Sequence, residues 1–394
     1  MASPSIRSRS WEKPDFILLA TVAALLIIGL NMVYSASYVI AHNDPSYGSD
    51  SYFAVQQAIR AVAGIVLLVV FQSVDYHVLR RVSVPVLAMA IALLVAVLVT
   101  HLSHSAYGAQ RWLTLGSLPP LEPSELVKIA LILYFADWLS RRRDTIRDFV
   151  TGTLPFGIIT SGVCALVVLQ PDLGTAVVIA AIAIGLYFVA GADVFHLAFG
   201  LAAGVVVFWV VVIDSGYRSE RIAAFLDASR DPLGVGWNIT QAQIALGSGG
   251  IFGLGLGASR QKFYYLPNAH TDAIFAVIGE ELGYIGAVLV VALFVGLALR
   301  GFRIASRAPD SYGCLLATGI TFALVAQAFI NVAVITATIP FTGVPLPFVS
   351  YGGSSLVVSL LSVGILSNIS RQTRYTEPIR SANRSAPAHA SESA

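Results

Sequence analysis

The feature that most constrains this chain is a series of uninterrupted apolar runs, most of them near the ~20 residues that a helix needs to cross a bilayer. Hydrophobic residues make up 56% of the 394 residues and charged residues only 12%, whereas a soluble domain carries roughly 25% charged residues. A water-soluble core cannot bury that much apolar surface. The sequence therefore predicts an all-α polytopic membrane protein.

Ten runs qualify as membrane spans. They cover 14–36, 53–73, 83–100, 124–140, 150–169, 173–191, 194–213, 272–299, 312–338 and 346–369. Only Gln170-Pro171-Asp172 separates the fifth span from the sixth, so the chain there could either kink at the proline or reverse.

The distribution of basic residues favours a reversal and ten spans. With the N-terminus inside, the inner segments hold 16 Lys and Arg residues, whereas the short outer loops hold only Arg111. Basic residues concentrate on the cytoplasmic side, and long loops are largely exempt from this bias. We therefore expect both termini in the cytoplasm and a large extracellular loop, 214–271, between spans seven and eight.

The chain divides into a transmembrane domain, 14–370, and two cytoplasmic ends. The N-terminus covers 1–13, and the tail, 371–394, is rich in Ser, Ala and Arg and is predicted to be disordered. The formal charge of +2 and the lack of a basic tract with interleaved aromatic residues argue against nucleic acid as a partner.

Polar residues gather near the predicted outer face. Arg111 precedes the fourth span, in which Glu125 and Lys128 are three residues apart and so share a helix face. This pair is either part of a site or a structural ion pair beside an interfacial Trp belt. Asp172, in the turn before span six, either belongs to a site or, as the favoured alternative, is a carboxylate stabilised at a helix N-terminus.

A Gly-rich stretch, 247–257, precedes Arg260 and Lys262. Its backbone amides and these two cations are suited to binding diphosphate oxygens, although the glycines could instead serve loop flexibility alone. His270-Thr271-Asp272 then opens span eight, with Thr271 as the expected N-cap.

Glu280 and Glu281 lie two turns further into span eight. A carboxylate inside a span costs several kcal/mol unless it faces a cavity or a partner, so we expect a polar cavity below Asp272. Residues 340–355 carry prolines, glycines, Ser350 and Ser354. They predict non-helical backbone, either as a wall of that cavity or as an ordinary loop.

Six motifs, in this order, resemble the SEDS family (shape, elongation, division and sporulation proteins), and the likeness extends from about residue 14 to 370. They are Gly108-Ala-Gln-Arg-Trp, Pro123-Ser-Glu-Leu-Val-Lys, Gln170-Pro-Asp-Leu-Gly-Thr, His270-Thr-Asp, Glu280-Glu-Leu-Gly and Pro345-Leu-Pro-Phe-Val-Ser-Tyr-Gly-Gly-Ser-Ser. Residues 259–267 look more like the division branch than the elongation branch. Departures are Glu122 for the usual Gln, Asn268 for Glu and Ala273 for Phe.

The resemblance implies a ten-span peptidoglycan glycosyltransferase that polymerises lipid II on the outer face of the bacterial cytoplasmic membrane, with inversion and with Asp272 as catalytic base. It implies a divalent cation, Mg²⁺ or Mn²⁺, and no organic cofactor. The implied partners are a class B penicillin-binding protein and other division proteins. The candidate substrate-binding residues are Arg111, Glu125, Lys128, Arg260, Lys262, His270, Glu280, Glu281, Ser350 and Ser354. A lipid II flippase and a noncatalytic scaffold are the alternatives.

Overall fold

The computed structural model describes residues 13–99, 103–106, 109–114, 120–142, 145–213, 216–227 and 234–372. The predicted N-terminus, 1–13, and tail, 371–394, lie outside these ranges apart from their innermost residues. The helices are α1 Phe16–Asn43, α2 Tyr52–Ser73, α3 Tyr76–Val99, α4 Pro123–Arg141, α5 Leu154–Leu169, α6 Leu173–Val189, α7 Val194–Ile213, α8 Gly216–Leu226, α9 Val235–Ser248, α10 Ile274–Arg307, α11 Ser311–Ile335 and α12 Gly353–Arg371.

Each of the ten predicted spans coincides with a helix, namely α1 to α7 and α10 to α12. Among the described residues, seven helices are long and apolar enough to cross a membrane, and α6 and α7 are shorter apolar helices. The chain reverses between α5 and α6, because the Cys164 thiol lies 3.6 Å from the Ala176 carbonyl across the pair. The protein is therefore a multi-pass helical membrane protein.

The distribution of exposed and buried residues is the inverse of that in a soluble protein. Large apolar side chains such as Phe195, Tyr284 and Leu299 are exposed, while Glu125, Asn331 and other polar residues are buried. A lipid environment favours this arrangement because apolar side chains lose nothing by facing acyl chains.

The segment predicted as a loop, 214–271, contains the two helices α8 and α9. Hydropathy does not reveal them because both are shorter than a span and α8 is polar. A short hairpin, β1 Ser103–Ala106 and β2 Ala109–Leu113, precedes α4.

Residues 336–352 link α11 to α12 and are largely buried without forming a regular helix. The non-helical backbone expected here is confirmed, but the predicted start of the last span at residue 346 is wrong, because α12 begins only at Gly353. Prolines at 345 and 347 cannot donate helical hydrogen bonds, which delays the helix.

Small residues bring this segment and the helices together. A side-chain carbon at Gly29 would lie 2.4 Å from the Phe348 carbonyl oxygen, so only glycine allows α1 to contact the segment. On α2 and α12, a side-chain carbon at Gly64 would lie 2.5 Å from Leu360, and one at Gly364 would lie 2.5 Å from the Leu68 carbonyl. Such close approach is the usual means by which membrane helices pack.

Polar contacts connect the helix termini at the end of the bundle opposite Asp272. Arg300 of α10 donates to Asp15 before α1 at 2.6 Å. The Tyr76 amide donates to Asn368 of α12, and the Tyr76 hydroxyl donates to Asp310 before α11 at 2.5 Å. These contacts fix the register of the helices whose other ends surround Asp272.

Candidate functional site

Asp272 lies two residues before α10 and is 9% exposed. The Thr271 hydroxyl donates to its Oδ1 at 3.0 Å. Asn331 of α11 donates to the Asp272 carbonyl at 2.7 Å and to the Val344 carbonyl at 2.8 Å. A side-chain carbon at Gly343 would lie 3.5 Å from Asp272 Oδ2. The segment between α11 and α12 thus approaches the carboxylate directly.

The helix start differs from the sequence prediction. The cap position is Ala273, without a side-chain hydrogen bond, so the expectation that Thr271 is the N-cap of span eight is wrong. The Thr271 hydroxyl is used instead on Asp272 and on the Asn268 carbonyl. Asp272 therefore precedes α10, one residue before its cap position.

Burial raises the pKa of Asp272 to about 6, although the Thr271 hydroxyl and the charges of Arg221 and Arg111 act in the opposite direction. Removing a carboxylate from water disfavours its charged form. The carboxylate is thus mostly ionised at neutral pH and close enough to its pKa to exchange a proton.

Two arginines lie within electrostatic range of Asp272. Arg111, in the middle of β2, donates to the Pro171 carbonyl and lies 3.7 Å from Asp172. Arg221 of α8 donates to the Phe341 carbonyl at 3.2 Å and lies 6.0 Å from the centroid of the Phe341 ring. The turn between α5 and α6 and the segment before α12 thus hold two cations within electrostatic range of one carboxylate.

The predicted ion pair on α4 is present. Lys128 Nζ lies 2.8 Å from Glu125 Oε1 and donates to Gln327 of α11 at 2.6 Å. Gln327 in turn donates to the Pro345 carbonyl at 3.0 Å. Both charges are buried. The pair therefore connects α4 through α11 to the segment that contacts Asp272.

Glu122 precedes α4 and has an unusual ionisation. Burial, then the nearby charges of Glu125 and Asp172, raise its pKa to about 8. At neutral pH this side chain is therefore protonated, which makes it a neutral donor and acceptor close in shape to glutamine. The departure from the family's usual glutamine is thus chemically small below pH 8.

His270 and the serine candidates serve packing contacts in this structure. His270 lies in an aromatic cluster with Phe53 and Tyr351, and burial lowers its pKa to about 4, so its imidazole is neutral. Ser350 accepts a hydrogen bond from the Leu346 amide at 2.8 Å, and Ser354 accepts one from the Glu122 amide at 2.9 Å. Ser350 and Ser354 thus hold the backbone of Leu346 and Glu122, whereas His270 contributes ring packing.

The expectation that Glu280 and Glu281 face an open cavity below Asp272 is wrong. Each is 1% exposed, and their carboxylates bind residues 257–261, at and just after the end of the Gly-rich stretch. Glu280 accepts from the Ser259 hydroxyl at 2.5 Å and the Arg260 amide at 2.9 Å. Glu281 accepts from the Gly257 amide at 3.0 Å and the Ser35 hydroxyl of α1 at 2.6 Å.

The Gly-rich segment is consequently part of the helix packing. A side-chain carbon at Gly253 would lie 2.1 Å from the Glu281 carbonyl oxygen, and one at Gly249 would lie 2.0 Å from the Gly279 carbonyl oxygen. Gly283 has φ 69° inside α10, and the Tyr284 amide donates to the Gly250 carbonyl at 2.9 Å. These glycines allow backbone contact between two parts of the chain, which differs from the open amide cradle that the sequence suggested.

The side chains of Lys262 and Arg260 differ in their contacts and in their exposure. Lys262 Nζ lies 3.2 Å from Glu281 Oε1 and donates to the Gly257 carbonyl at 2.6 Å, with a side chain only 4% exposed. The prediction that Lys262 is available to a diphosphate is wrong in this conformation, because Glu281 and Gly257 already hold its ammonium group. The Arg260 side chain is exposed.

Sequence reasoning missed Arg221, Gln327 and Asn331. Arg221 lies in a polar stretch for which hydropathy predicts a loop, and the signal that singles it out is the short amphipathic pattern of α8. Gln327 and Asn331 are four residues apart in an apolar span, a spacing that places both on one face of α11. Each donates to the backbone of residues 344–345.

Replacing Lys262 with Met is expected to destabilise the protein by about 3–5 kcal/mol, because it leaves the Glu281 carboxylate buried without its cation. The exposed Arg260→Met variant, which loses the same charge, is expected to change stability by at most about 0.5 kcal/mol. Unfolding of the purified variants in mixed micelles measures both. Adding Glu281→Gln to Lys262→Met should restore part of the loss. Equal effects of the two single variants would contradict the structural role of Lys262.

Replacing Glu122 with Gln is expected to stabilise the protein increasingly as pH rises from about 5 to 8. In this window the folded carboxyl keeps a proton that the unfolded one loses. The unfolding equilibrium constant of the wild type therefore rises by up to tenfold per pH unit. Melting temperatures measured between pH 5 and 9 test this. The control is Asp44→Asn, since hydrogen bonds from Ser46 hold the pKa of Asp44 low. The difference in melting temperature between Asp44→Asn and the wild type should be the same at every pH. A difference that is also constant for Glu122→Gln would refute the raised pKa of Glu122.

Comparison with known proteins agrees with the sequence motifs. The family model for FtsW, RodA and SpoVE, described as cell cycle protein, matches residues 16–375. The probable peptidoglycan glycosyltransferase FtsW of Trichlorobacter lovleyi is 44% identical over 90% of this chain and 93% of its own. Stage V sporulation protein E of Bacillus subtilis is 42% identical over 92% of this chain and 98% of its own.

Solved structures show the same fold. A chain from a peptidoglycan synthase complex that coordinates polymerization and crosslinking matches with TM-score 0.75 and 29% identity, over 92% of this chain and 98% of its own. The rod shape determining protein RodA of Thermus thermophilus matches with TM-score 0.67 and 27% identity, over 94% of this chain and 100% of its own. The chain therefore belongs to the FtsW, RodA and SpoVE family, which is the SEDS family that its motifs resemble.

Proposed function

We propose that this protein is a peptidoglycan glycosyltransferase of cell division that polymerises lipid II, with Asp272 as the general base. The observation that carries the proposal is a carboxylate buried at the head of α10, with a pKa raised to about 6 and two arginines in electrostatic range. Relatives 40–44% identical over most of the chain bear the name peptidoglycan glycosyltransferase FtsW, which supports the same activity.

The reaction requires a base because the acceptor is a sugar hydroxyl. The 4-hydroxyl of one lipid II sugar gives its proton to Asp272 while its oxygen attacks the anomeric carbon of the donor. The bond from that carbon to undecaprenyl diphosphate breaks, and attack from the opposite face converts an α-linked donor into a β-linked product. A base whose pKa lies just below the working pH is largely ionised and still accepts a proton readily.

The departing diphosphate needs positive charge. Arg111 and Arg221 are the best candidates, because both lower the pKa of Asp272 electrostatically from two different elements. Lys128 and Lys262 are less suitable, since a buried glutamate holds them at 2.8 and 3.2 Å respectively, whereas Arg111 lies 3.7 Å from Asp172. Arg260 is exposed and remains a candidate at the rim of the site. Fixed cations aimed at developing charge usually supply the largest catalytic contribution.

The residues present fit a divalent cation only in part. Within the described ranges, no group of three or more His, Cys, Asp or Glu residues could hold a metal ion. Mg²⁺ commonly binds through one or two carboxylates together with substrate phosphates. We therefore propose that Mg²⁺ or Mn²⁺ binds with the donor diphosphate, beside Asp272 or Asp172, and supplies charge neutralisation of the leaving group.

We propose ten spans with both termini in the cytoplasm and the 214–271 segment outside. Seven long apolar helices and the shorter α6 and α7 support nine of them. Helix α4 is the tenth, because its Glu125 and Lys128 neutralise each other and Asp137 accepts from Arg80 and Arg141. This orientation brings Asp272 to the outer face, where lipid II is polymerised.

A transpeptidase partner fits the same proposal. The solved chain that resembles this one at TM-score 0.75 comes from a synthase complex that couples polymerization to crosslinking. We propose that a single-span class B penicillin-binding protein associates with this chain, together with other division proteins.

The test is polymerisation of lipid II by the purified full-length protein with its transpeptidase partner in liposomes. Asp272→Asn is expected to lower the rate by about 10²- to 10⁴-fold, the usual contribution of a general base. The exposed Asp44→Asn variant at the same end of the bundle should retain the wild-type rate.

Other outcomes overturn the proposal. Normal polymerisation by Asp272→Asn would remove the base assignment. Translocation of lipid II without polymer would make the protein a flippase. Absence of both activities, with the partner still bound, would make it a scaffold.

A further inference from the structure

A groove of about 370 Å³ lies between α3 and α5, with Tyr134 of α4 also in its lining. On α3 its wall consists of Val84, Leu87, Ala88 and Ile91, which share one face of the helix. Apart from the Tyr134 hydroxyl, the lining side chains are apolar. The groove is therefore suited to a hydrocarbon chain and not to a polar headgroup.

The groove exists because α5 has no side chain at its centre. Gly162 lies between Ile158 and Leu166 on the lining face, and a side-chain carbon there would meet nothing within 4 Å. The volume is comparable with ordinary ligand pockets, which measure about 300–1,000 Å³. A larger residue at position 162 would occupy the space without displacing the backbone.

One end of the groove has two exposed arginines. Arg81 lies one turn before Val84 on α3. Arg142 directly follows α4, lies over the Trp138 ring at 4.9 Å and donates to the Thr151 carbonyl at 3.0 Å. Arg142 thus bridges from α4 to the turn that leads into α5, at the same end of the bundle as Arg81.

The neighbouring carboxylates make their closest contacts with other groups. Asp137 accepts from both Arg80 and Arg141, at 2.6 and 2.7 Å. Asp148 directs its carboxylate to the Thr151 amide and hydroxyl, each at 2.8 Å. In the part of the chain that the structure describes, no ion pair involving Arg81 or Arg142 is present. Positive charge therefore remains beside an apolar groove.

We propose that this groove is a binding site for an anionic glycerophospholipid, with one acyl chain between α3 and α5 and its phosphate between Arg81 and Arg142. Basic pockets between membrane helices on the cytoplasmic side bind anionic headgroups in this way. The arginine end faces the cytoplasmic leaflet in the orientation proposed above. The groove spans only two turns of α3, which seats part of one acyl chain and leaves most of a long polyprenyl chain outside. The site lies at the opposite end of the bundle from Asp272.

The experiment is a titration of the purified, delipidated full-length chain with phosphatidylglycerol, phosphatidylcholine or undecaprenyl phosphate, followed by native mass spectrometry. The first phosphatidylglycerol is expected to bind about 30-fold more tightly than phosphatidylcholine, since each arginine near an anionic headgroup contributes a factor of about five. The Arg81→Gln, Arg142→Gln double variant should bind the two phospholipids equally. Gly162→Leu should lose the first phosphatidylglycerol by filling the groove.

Two matched variants serve as controls. Gly157→Leu lies on the same helix in equally open space, outside the lining, and should bind as the wild type does. Arg303→Gln, Arg307→Gln removes two exposed arginines from the same end of the bundle on α10 and should also leave binding unchanged. Equal affinity of the wild type for both phospholipids, retained preference in the double variant, unchanged binding in Gly162→Leu, or displacement by equimolar undecaprenyl phosphate would each overturn the proposal.

Discussion

The cost of an unsatisfied charge inside a bilayer organises this structure. Each deeply buried carboxylate on α10 has several donors, and the buried Lys128 has both Glu125 and Gln327. Such groups are expensive in a membrane unless they are paired, so they fix which elements must meet. Residues 257–261 fold back on α10 because Glu280 and Glu281 require their amides, and α11 meets α4 where Lys128 binds Gln327.

Asp272 and Glu122 are buried carboxyl groups that are not fully compensated in this way. This incomplete compensation makes the site reactive. Burial raises both pKa values, the charges of Glu125 and Asp172 raise that of Glu122 further, and nearby cations offset only part of the effect. The two carboxyl groups therefore hold opposite protonation states at neutral pH, one mainly ionised and one mainly protonated. Both carboxyl groups lie in range of the Arg111 charge, and strongly shifted pKa values are typical of functional sites. The backbone between α11 and α12, held by Asn331 and Gln327, supplies the rigid wall.

The sequence predicts the helices well and the side-chain partners poorly. Apolar runs mark all ten long elements because their length follows from the thickness of the membrane. Apolar runs do not reveal α8 and α9, because short helices at a membrane surface need no apolar run. The i, i+3 pair Glu125 and Lys128 could be predicted because both partners lie on one helix. The partners of Glu281, in contrast, come from α1 and from a segment about 20 residues earlier, so they depend on how the chain folds back. For that reason the sequence alone predicts that Lys262 binds the substrate, whereas the structure pairs it with Glu281.

The most direct test of the account is the pH dependence of the initial polymerisation rate. If Asp272 accepts the proton, the rate must fall about tenfold per pH unit below an apparent pKa near 6, because only the ionised carboxylate is active. The same acid limb is expected in Glu122→Gln, since Glu122 is already protonated in that range. An acid limb near pH 4, the ordinary range of an exposed aspartate, or a rate independent of pH down to 5, would contradict the assignment of a buried Asp272 as the base.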